Sequence, residues 1–259
     1  MNSNKVVLSA KDISITFGAL KAVTNFNLEI KENELVGLIG PNGAGKTTVF
    51  NIITGIYSPT SGTYHFNGEL IKKTPTFKLV KKGLARTFQN IRLFKNMSVL
   101  DNVLVANNFN MKYGILSGIF RFPNYWREEK KAKEKALELL KIFDLDKYAD
   151  TAAGNLPYGK QRKLEIARAM ATNPKLLLLD EPAAGMNPTE TEELMNTISL
   201  IRKRFNIAIL LIEHDMKLVL GICEKLVVLD HGTTIASGNP MEVINNPRVV
   251  TAYLGEKED

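Results

Sequence analysis

Nine residues, Gly40-Pro41-Asn42-Gly43-Ala44-Gly45-Lys46-Thr47-Thr48, constrain this chain more than any other stretch. They match the pattern Gly-x4-Gly-Lys-Thr without a mismatch. The apolar run Leu35-Val36-Gly37-Leu38-Ile39 before them reads as a buried strand, and Val49-Phe50-Asn51-Ile52-Ile53 after them continues as a helix. Glycines between a strand and a helix let consecutive backbone N–H groups turn inward and form an anion nest. The helix that follows adds its positive end. Lys46 brings a full charge for β- and γ-phosphates, and Thr47 places a hydroxyl where Mg2+ sits between them. The alternative is a glycine-rich turn that binds nothing, which the strand–loop–helix context disfavours.

The rest of the chain supplies a sheet for this loop. Val6–Ala10, Ile13–Gly18 and Phe26–Ile30 suit short strands, and Thr63–Phe66 follows a turn at Ser58–Gly62. Leu84–Gln89 reads as a strand ending in a polar residue. From there to about Thr172 the pattern is helical, with Arg127–Phe143 amphipathic through Ala132, Ala136, Leu140 and Phe143. Strand and helix then alternate. Leu176–Leu179 and Ile207–Ile212 are unbroken apolar strands, and Asn187-Pro188-Thr189-Glu190 opens the helix between them with a cap residue, a first-position proline and a glutamate. This alternation predicts an α/β fold, a parallel sheet with helices on both faces. Polar residues gather at the carboxyl ends of its strands, where such sheets bind ligands.

Composition excludes several classes. A chain of 259 residues buries a large core as one domain or at most two. No apolar run approaches the roughly 18 residues a membrane span needs, and Met1–Lys5 lacks a signal-peptide core, so a cytosolic protein is expected. Cys223 is the only cysteine, which excludes an internal disulfide and a thiolate metal cluster. The net charge of +7 admits a nucleic-acid binder or a protein at an anionic membrane face. The basic residues are nevertheless scattered, without an aromatic-interleaved stripe, which favours an ordinary solvated surface.

Asp180 and Glu181 directly follow the leucine strand. A carboxylate there, beside a phosphate loop, suits a Mg2+ ion held through water, and its neighbour suits orienting or deprotonating an attacking water. A plain helix cap is the alternative. His214 also ends a strand and reads either as a group at the γ-phosphate edge or as a structural histidine; Gln89 carries the same ambiguity. Phe17, at a strand end, suits either stacking on a flat base or the core.

Taken in order, Phe17, Gly40 to Thr48, Gln89, Leu156-Pro157-Tyr158-Gly159-Lys160-Gln161, Leu176 to Pro182, Asn187 and His214 make the chain resemble the ATP-binding subunits of ABC transporters over nearly its whole length. Leu156–Gln161 followed by Ile166-Ala167-Arg168-Ala169 stands where that family keeps its signature sequence, a far more specific feature than a phosphate loop. The strings Arg86–Asn90, Glu181–Pro188, Ile212–Met216 and Ala252–Glu256, with the apolar patch Gly114–Phe120, are similar to the ATPases of branched-chain amino acid importers.

The resemblance implies a P-loop (RecA-like) parallel sheet core, an N-terminal antiparallel β subdomain and a helical signature subdomain at about 91–172, all within one ATP-binding domain spanning 1–259. It implies ATP and Mg2+ as cofactors and hydrolysis of ATP to ADP and phosphate. Phe17 would stack on adenine, while Asn42, Gly43, Ala44, Gly45, Lys46, Thr47 and Thr48 would hold the phosphates. Thr47, Gln89 and Asp180 would serve the metal, and Glu181, His214 and Gln89 the hydrolysis. Tyr158 and Gly159 would act in trans, each of two head-to-tail subunits closing over the other's ATP. Two positions depart from the common pattern: Pro157 replaces a serine and Asn187 an aspartate.

The implied partners are two integral membrane permease subunits, a second ATP-binding subunit (the same chain or another) and, indirectly, a solute-binding protein. The implied location is peripheral, at the cytoplasmic face of the cell membrane. No nucleic acid is expected. The alternatives are an ATPase for urea or lipid transport and a nucleic-acid-associated ABC ATPase, which would show coiled-coil insertions or tandem units. A small-molecule P-loop kinase would not explain Leu156–Gln161.

Overall fold

Alternating apolar residues draw the first third of the chain into antiparallel strands in the computed structural model, which describes residues 5–107 and 123–254. β1 (Val6–Phe17) and β2 (Leu20–Lys31) form a hairpin, and β3 (Leu35–Ile39) leaves it for a second sheet. β4 (Ser61–Phe66) and β5 (Glu69–Ile71) complete a four-stranded sheet in the order β2-β1-β4-β5. The two strands expected at Val6–Ala10 and Ile13–Gly18 are halves of β1. Asp12 bulges it at φ +52°, and Asn27 Oδ1 accepts the Asp12 N–H at 3.0 Å, so the strand bends without ending.

The second sheet joins β3 to β6 (Leu84–Arg86), β7 (Leu176–Asp180), β8 (Ala208–Ile212), β9 (Lys225–Asp230) and β10 (Thr233–Gly238) in the order β10-β9-β3-β8-β7-β6. Its pairs from β9 to β6 are all parallel. It is mixed rather than wholly parallel, because the tight turn at His231-Gly232 returns β10 antiparallel along the β9 edge. The strand expected at Leu84–Gln89 is shorter than its apolar pattern. Thr87 still donates its N–H to Leu178, after which the Phe88 and Gln89 carbonyls turn to a side chain on a distant helix.

Burial on both faces explains the leucine runs. Leu177, Leu179, Ile209 and Leu211 face one apolar cluster, and Leu176, Leu178, Leu210 and Ile212 face another. The second cluster holds the inward residues of β1, β2 and β4 and of α1 (Lys46–Ile53), with α2 (Thr76–Lys82) contributing Leu79. The first holds α3 (Val99–Asn107), α4 (Pro123–Ile142), α5 (Tyr158–Met170), α6 (Pro188–Phe205) and α7 (Met216–Ile222). Ala132, Ala136, Leu140 and Phe143 are buried as their helical spacing requires. α6 opens with a capping box, Asn187 Oδ1 accepting from Glu190 N and Glu190 Oε2 from Asn187 N. α8 (Pro240–Ile244) and α9 (Pro247–Leu254) finish the described chain. Among the described residues between 91 and 172 there is no named strand, and none of their helices is long and apolar enough to cross a membrane. The apolar patch Gly114–Phe120 lies outside the described residues.

Candidate functional site

Register sets the carboxyl ends of four neighbouring strands level. Leu38 of β3 and Asp180 of β7 both pair with Ile212 of β8, and Arg86 of β6 pairs with Leu178. The segments that leave these ends are therefore side by side: Gly40–Thr48 from β3, Glu213-His214 from β8, Glu181 from β7 and Thr87–Gln89 from β6. Residues distant in the chain meet in one row, at the end of the sheet where such folds bind ligands.

The phosphate loop is shaped by glycines that cannot be replaced. A Cβ at Gly40 (φ +146°) would lie 2.0 Å from the Leu229 carbonyl oxygen, and one at Gly45 (φ +101°) 2.8 Å from that of Ala22. Gly45 is also the N-cap of α1, and neither a side-chain cap nor an acidic residue occupies the first turn. The orphan N–H groups there are left for an anion. Lys46 Nζ donates to the Gly40 and Pro41 carbonyls at 2.7 and 2.8 Å. Burial lowers its ammonium pKa below the ordinary lysine value, while the Glu181 and Asp180 carboxylates pull it back up. A cavity of about 760 Å³ is lined by Pro41, Asn42, Gly43 and Ala44 of the loop and by Arg248 and Thr251 of α9.

Glu181 sits at φ +46°, a conformation a non-glycine residue adopts at some cost, and its N–H bonds the Ile212 carbonyl at 2.9 Å. Gln89 Nε2 donates to its Oε2 at 2.9 Å, and His214 Nδ1 lies 3.9 Å from its Oε1. The expected trio of Gln89, Glu181 and His214 therefore converges. His214 is 67% exposed, which argues against a buried structural histidine. Phe17 is 43% exposed, so the core reading fails for it too; its ring meets Tyr57 edge-on at 5.1 Å.

Asp180 brings a finding that the sequence reading missed. Arg86 Nη2 donates to its Oδ2, while Arg86 Nη1 donates to Asn51 Oδ1 on α1. Nor does the sequence alone single out Glu213. Its buried carboxylate accepts the Ala183 and His214 N–H groups at 2.9 and 3.0 Å, which ties the turn after Glu181 to the His214 segment. Burial pushes this carboxyl up from its ordinary pKa, against the pull of its backbone donors. The only local signal was position, because Arg86 and Glu213 each lie within three residues of a recognised site residue.

An oxygen-rich donor set remains for a metal. The Thr47 hydroxyl, the Asp180 carboxylate and Gln89 Oε1, free of the amide nitrogen's bond to Glu181, are the hard donors that Mg2+ prefers. Among the described residues there is no group of three or more His, Cys, Asp or Glu that would hold an ion alone. The residues thus fit an ion that shares its shell with phosphate oxygens and water.

Tyr158 and Gly159 do not line the cavity at the phosphate loop. They begin α5 behind Pro157, whose geometry caps the helix without a side-chain bond. Tyr158 instead meets the turn after Glu181, donating its hydroxyl to the Ala184 carbonyl at 3.0 Å.

Comparison with known proteins gives the family. Residues 23–184 match the family model described as ABC transporter, and residues 233–259 match that of the branched-chain amino acid ATP-binding cassette transporter. The chain is 47% identical to the high-affinity branched-chain amino acid transport ATP-binding protein BraF of Pseudomonas aeruginosa, covering 98% of this chain and 99% of that one. It is 48% identical to the Escherichia coli protein of the same description, LivG, over 96% and 98% of the two chains. Its fold superposes on a crystal structure of an ATP-binding cassette of an ABC transporter in its ADP conformation, with a TM-score of 0.84, 32% identity and coverage of 97% and 99%. A dimeric bacterial ABC transporter cassette superposes with a TM-score of 0.76 at 25% identity, over 90% and 98%. The chain belongs to the ABC transporter family, as one of its ATP-binding subunits.

Proposed function

We propose that this chain is the ATP-hydrolysing subunit of an importer of branched-chain amino acids. It works as a single ATP-binding domain at the cytoplasmic face of the cell membrane, with two integral membrane subunits, a second ATP-binding subunit and, indirectly, a solute-binding protein. The observation that carries the reaction is the convergence of Gln89 and His214 on Glu181, in the row of strand ends that starts at the phosphate loop. The match of residues 233–259 to the branched-chain model supports the solute class.

The chain's residues divide the work. Phe17, exposed at the end of β1, offers a face for the adenine ring. Asn42 to Thr48 cradle the phosphates, and Lys46 exchanges its two loop carbonyls for phosphate oxygens. Mg2+, when bound, neutralises phosphate charge; Thr47, Gln89 and Asp180 would hold it. Glu181 takes the proton of the attacking water, Gln89 orients that water, and His214 steadies the γ-phosphate. ATP and water become ADP and phosphate. Tyr158 and Gly159 present the start of α5 to the nucleotide of the second subunit, and the dimeric cassettes among its structural relatives support that arrangement.

The test is reconstitution in liposomes with the membrane subunits and solute-binding protein that accompany the chain, measuring MgATP hydrolysis and uptake of radiolabelled leucine. Leucine enters only with ATP present, and Glu181→Gln lowers both rates by about 100-fold or more. Uptake of urea or movement of lipid in place of leucine would reassign the solute. Full hydrolysis by Glu181→Gln would remove the reaction assigned to this site.

A further inference from the structure

The residues at the start of α5 and those around Glu181 are joined in a closed ring of hydrogen bonds within one chain. The Tyr158 hydroxyl donates to the Ala184 carbonyl at 3.0 Å, and the Ala184 N–H donates to the Glu181 carbonyl at 3.2 Å. On the other side, Arg162 Nη2 donates to the Tyr158 hydroxyl at 3.0 Å and also to the Gln89 carbonyl. Gln89 Nε2 closes the ring on Glu181 Oε2 at 2.9 Å. Both paths from the Tyr158 hydroxyl therefore end on Glu181, one at its backbone and one at its carboxylate.

The ring is firmly seated. Arg162 is buried, and its Nη1 donates to the Phe88 carbonyl at 2.9 Å and to Glu165 Oε2 at 3.4 Å. Glu165 in turn accepts the Arg92 N–H at 3.1 Å, so the segment from Phe88 to Arg92 is fixed to α5 at three points. The Tyr158 ring lies on Gly185, where a Cβ would come within 3.2 Å of it. Its hydroxyl has used its proton on Ala184 and a lone pair on Arg162, which leaves it poorly placed to bind a nucleotide itself.

We propose that Tyr158 is a positioning residue for Glu181, passing the engagement of α5 with a second subunit's nucleotide to the carboxylate of its own site. This rests on the assignment of Glu181 to catalysis made above. A shift of the α5 start on closing over that nucleotide moves the Ala184 carbonyl and the Gln89 backbone together. Glu181 reaches its working geometry only when both neighbours are in place, so each site is readied by its chain's contact with the other.

The experiment uses the full chain with its co-purifying membrane subunits and measures ATPase rate against MgATP concentration for wild type, Tyr158→Phe and Glu181→Gln. Phenylalanine keeps the ring on Gly185 and removes one oxygen from a half-exposed side chain, so the fold is not at stake. The expected result is a kcat lowered about three- to tenfold, the effect of one hydrogen bond, with KM for ATP within about twofold of wild type. An unchanged kcat overturns the proposal. So does a KM that rises in step with any loss, because the hydroxyl would then serve nucleotide binding. Glu181→Gln separates the two claims. If it hydrolyses at the wild-type rate, the catalytic assignment falls; if it is inactive while Tyr158→Phe turns over normally, only the coupling falls.

Discussion

Arg86 and Asp180 form an ion pair of 2.7 Å in which both side chains are more than nine-tenths buried. The guanidinium lies against two rings, 5.4 Å from the centre of Phe50 and 5.1 Å from that of Phe88. Its second amino group reaches Asn51, so one side chain ties the edge strand β6 to the end of β7 and to the helix after the phosphate loop. One oxygen of Asp180 is thereby committed inside the protein, which holds the carboxylate in a fixed orientation.

Arg86→Ala would leave that carboxylate buried without its partner. Breaking a buried pair from one side costs about 3–5 kcal/mol, which in a chain of this size lowers the melting temperature on the order of 10 °C. Arg86→Lys would lose less, because a point charge satisfies Asp180 but cannot span to Asn51. Thermal melts of the three proteins check this; an alanine variant that melts with the wild type would show that the pair holds nothing together.

Lys46 gives a contrasting case. Its nitrogen bonds only two loop carbonyls, so Lys46→Ala should leave the melting temperature nearly unchanged. The same substitution removes charge-assisted bonds to phosphate of about 1.5–3 kcal/mol each, and ATP affinity should fall by about 100-fold or more. Calorimetric titration with ATP, alongside a melt without nucleotide, separates the two effects.

The strands that frame the site could be read along the chain because burial on both faces demands unbroken apolar residues, as in Leu176–Leu179. The phosphate loop was legible because its chemistry is local, with glycines, lysine and threonine at fixed spacing. Arg86 was not, since its partner lies 94 residues away and nothing in Leu84-Ala85-Arg86 marks an ion pair. Tyr158 reads as part of a signature, but its bond to Ala184 appears only when α5 is laid against the turn after Glu181. Phe17 was ambiguous because strand-end aromatics occur in both settings, and only its exposure removes the core reading. Periodicity in Val6–Phe17 broke at Lys11-Asp12 because a bulge shifts the register while the strand continues.

Cys223 tests the tightness of packing behind β3. Burial, with smaller contributions from Glu213 and Glu224, pushes its thiol up to about 12 from an ordinary value of 9.0. At pH 8 the thiolate fraction is then lower by roughly 1,000-fold, and alkylation in the native protein should slow at least as much relative to the chain in urea. Iodoacetamide labelling followed by mass spectrometry measures the ratio. Rapid native labelling would mean that this wall of the core opens readily.

Glu213 makes stability depend on pH in the direction opposite to most carboxylates. Its pKa is raised in the folded protein by burial, so the native state holds a proton that the unfolded chain releases near the ordinary value of 4.5. The stabilisation is fully present below that value and is lost as pH rises through the folded pKa. Glu213→Gln removes the titration but leaves a neutral side chain of the same size, still able to accept from the Ala183 or His214 N–H. Relative to wild type, the variant should therefore gain ground between pH 5 and pH 8. Urea midpoints at the two values give the comparison: a difference between the proteins that stays constant with pH would show that Glu213 is charged in the core already at pH 5.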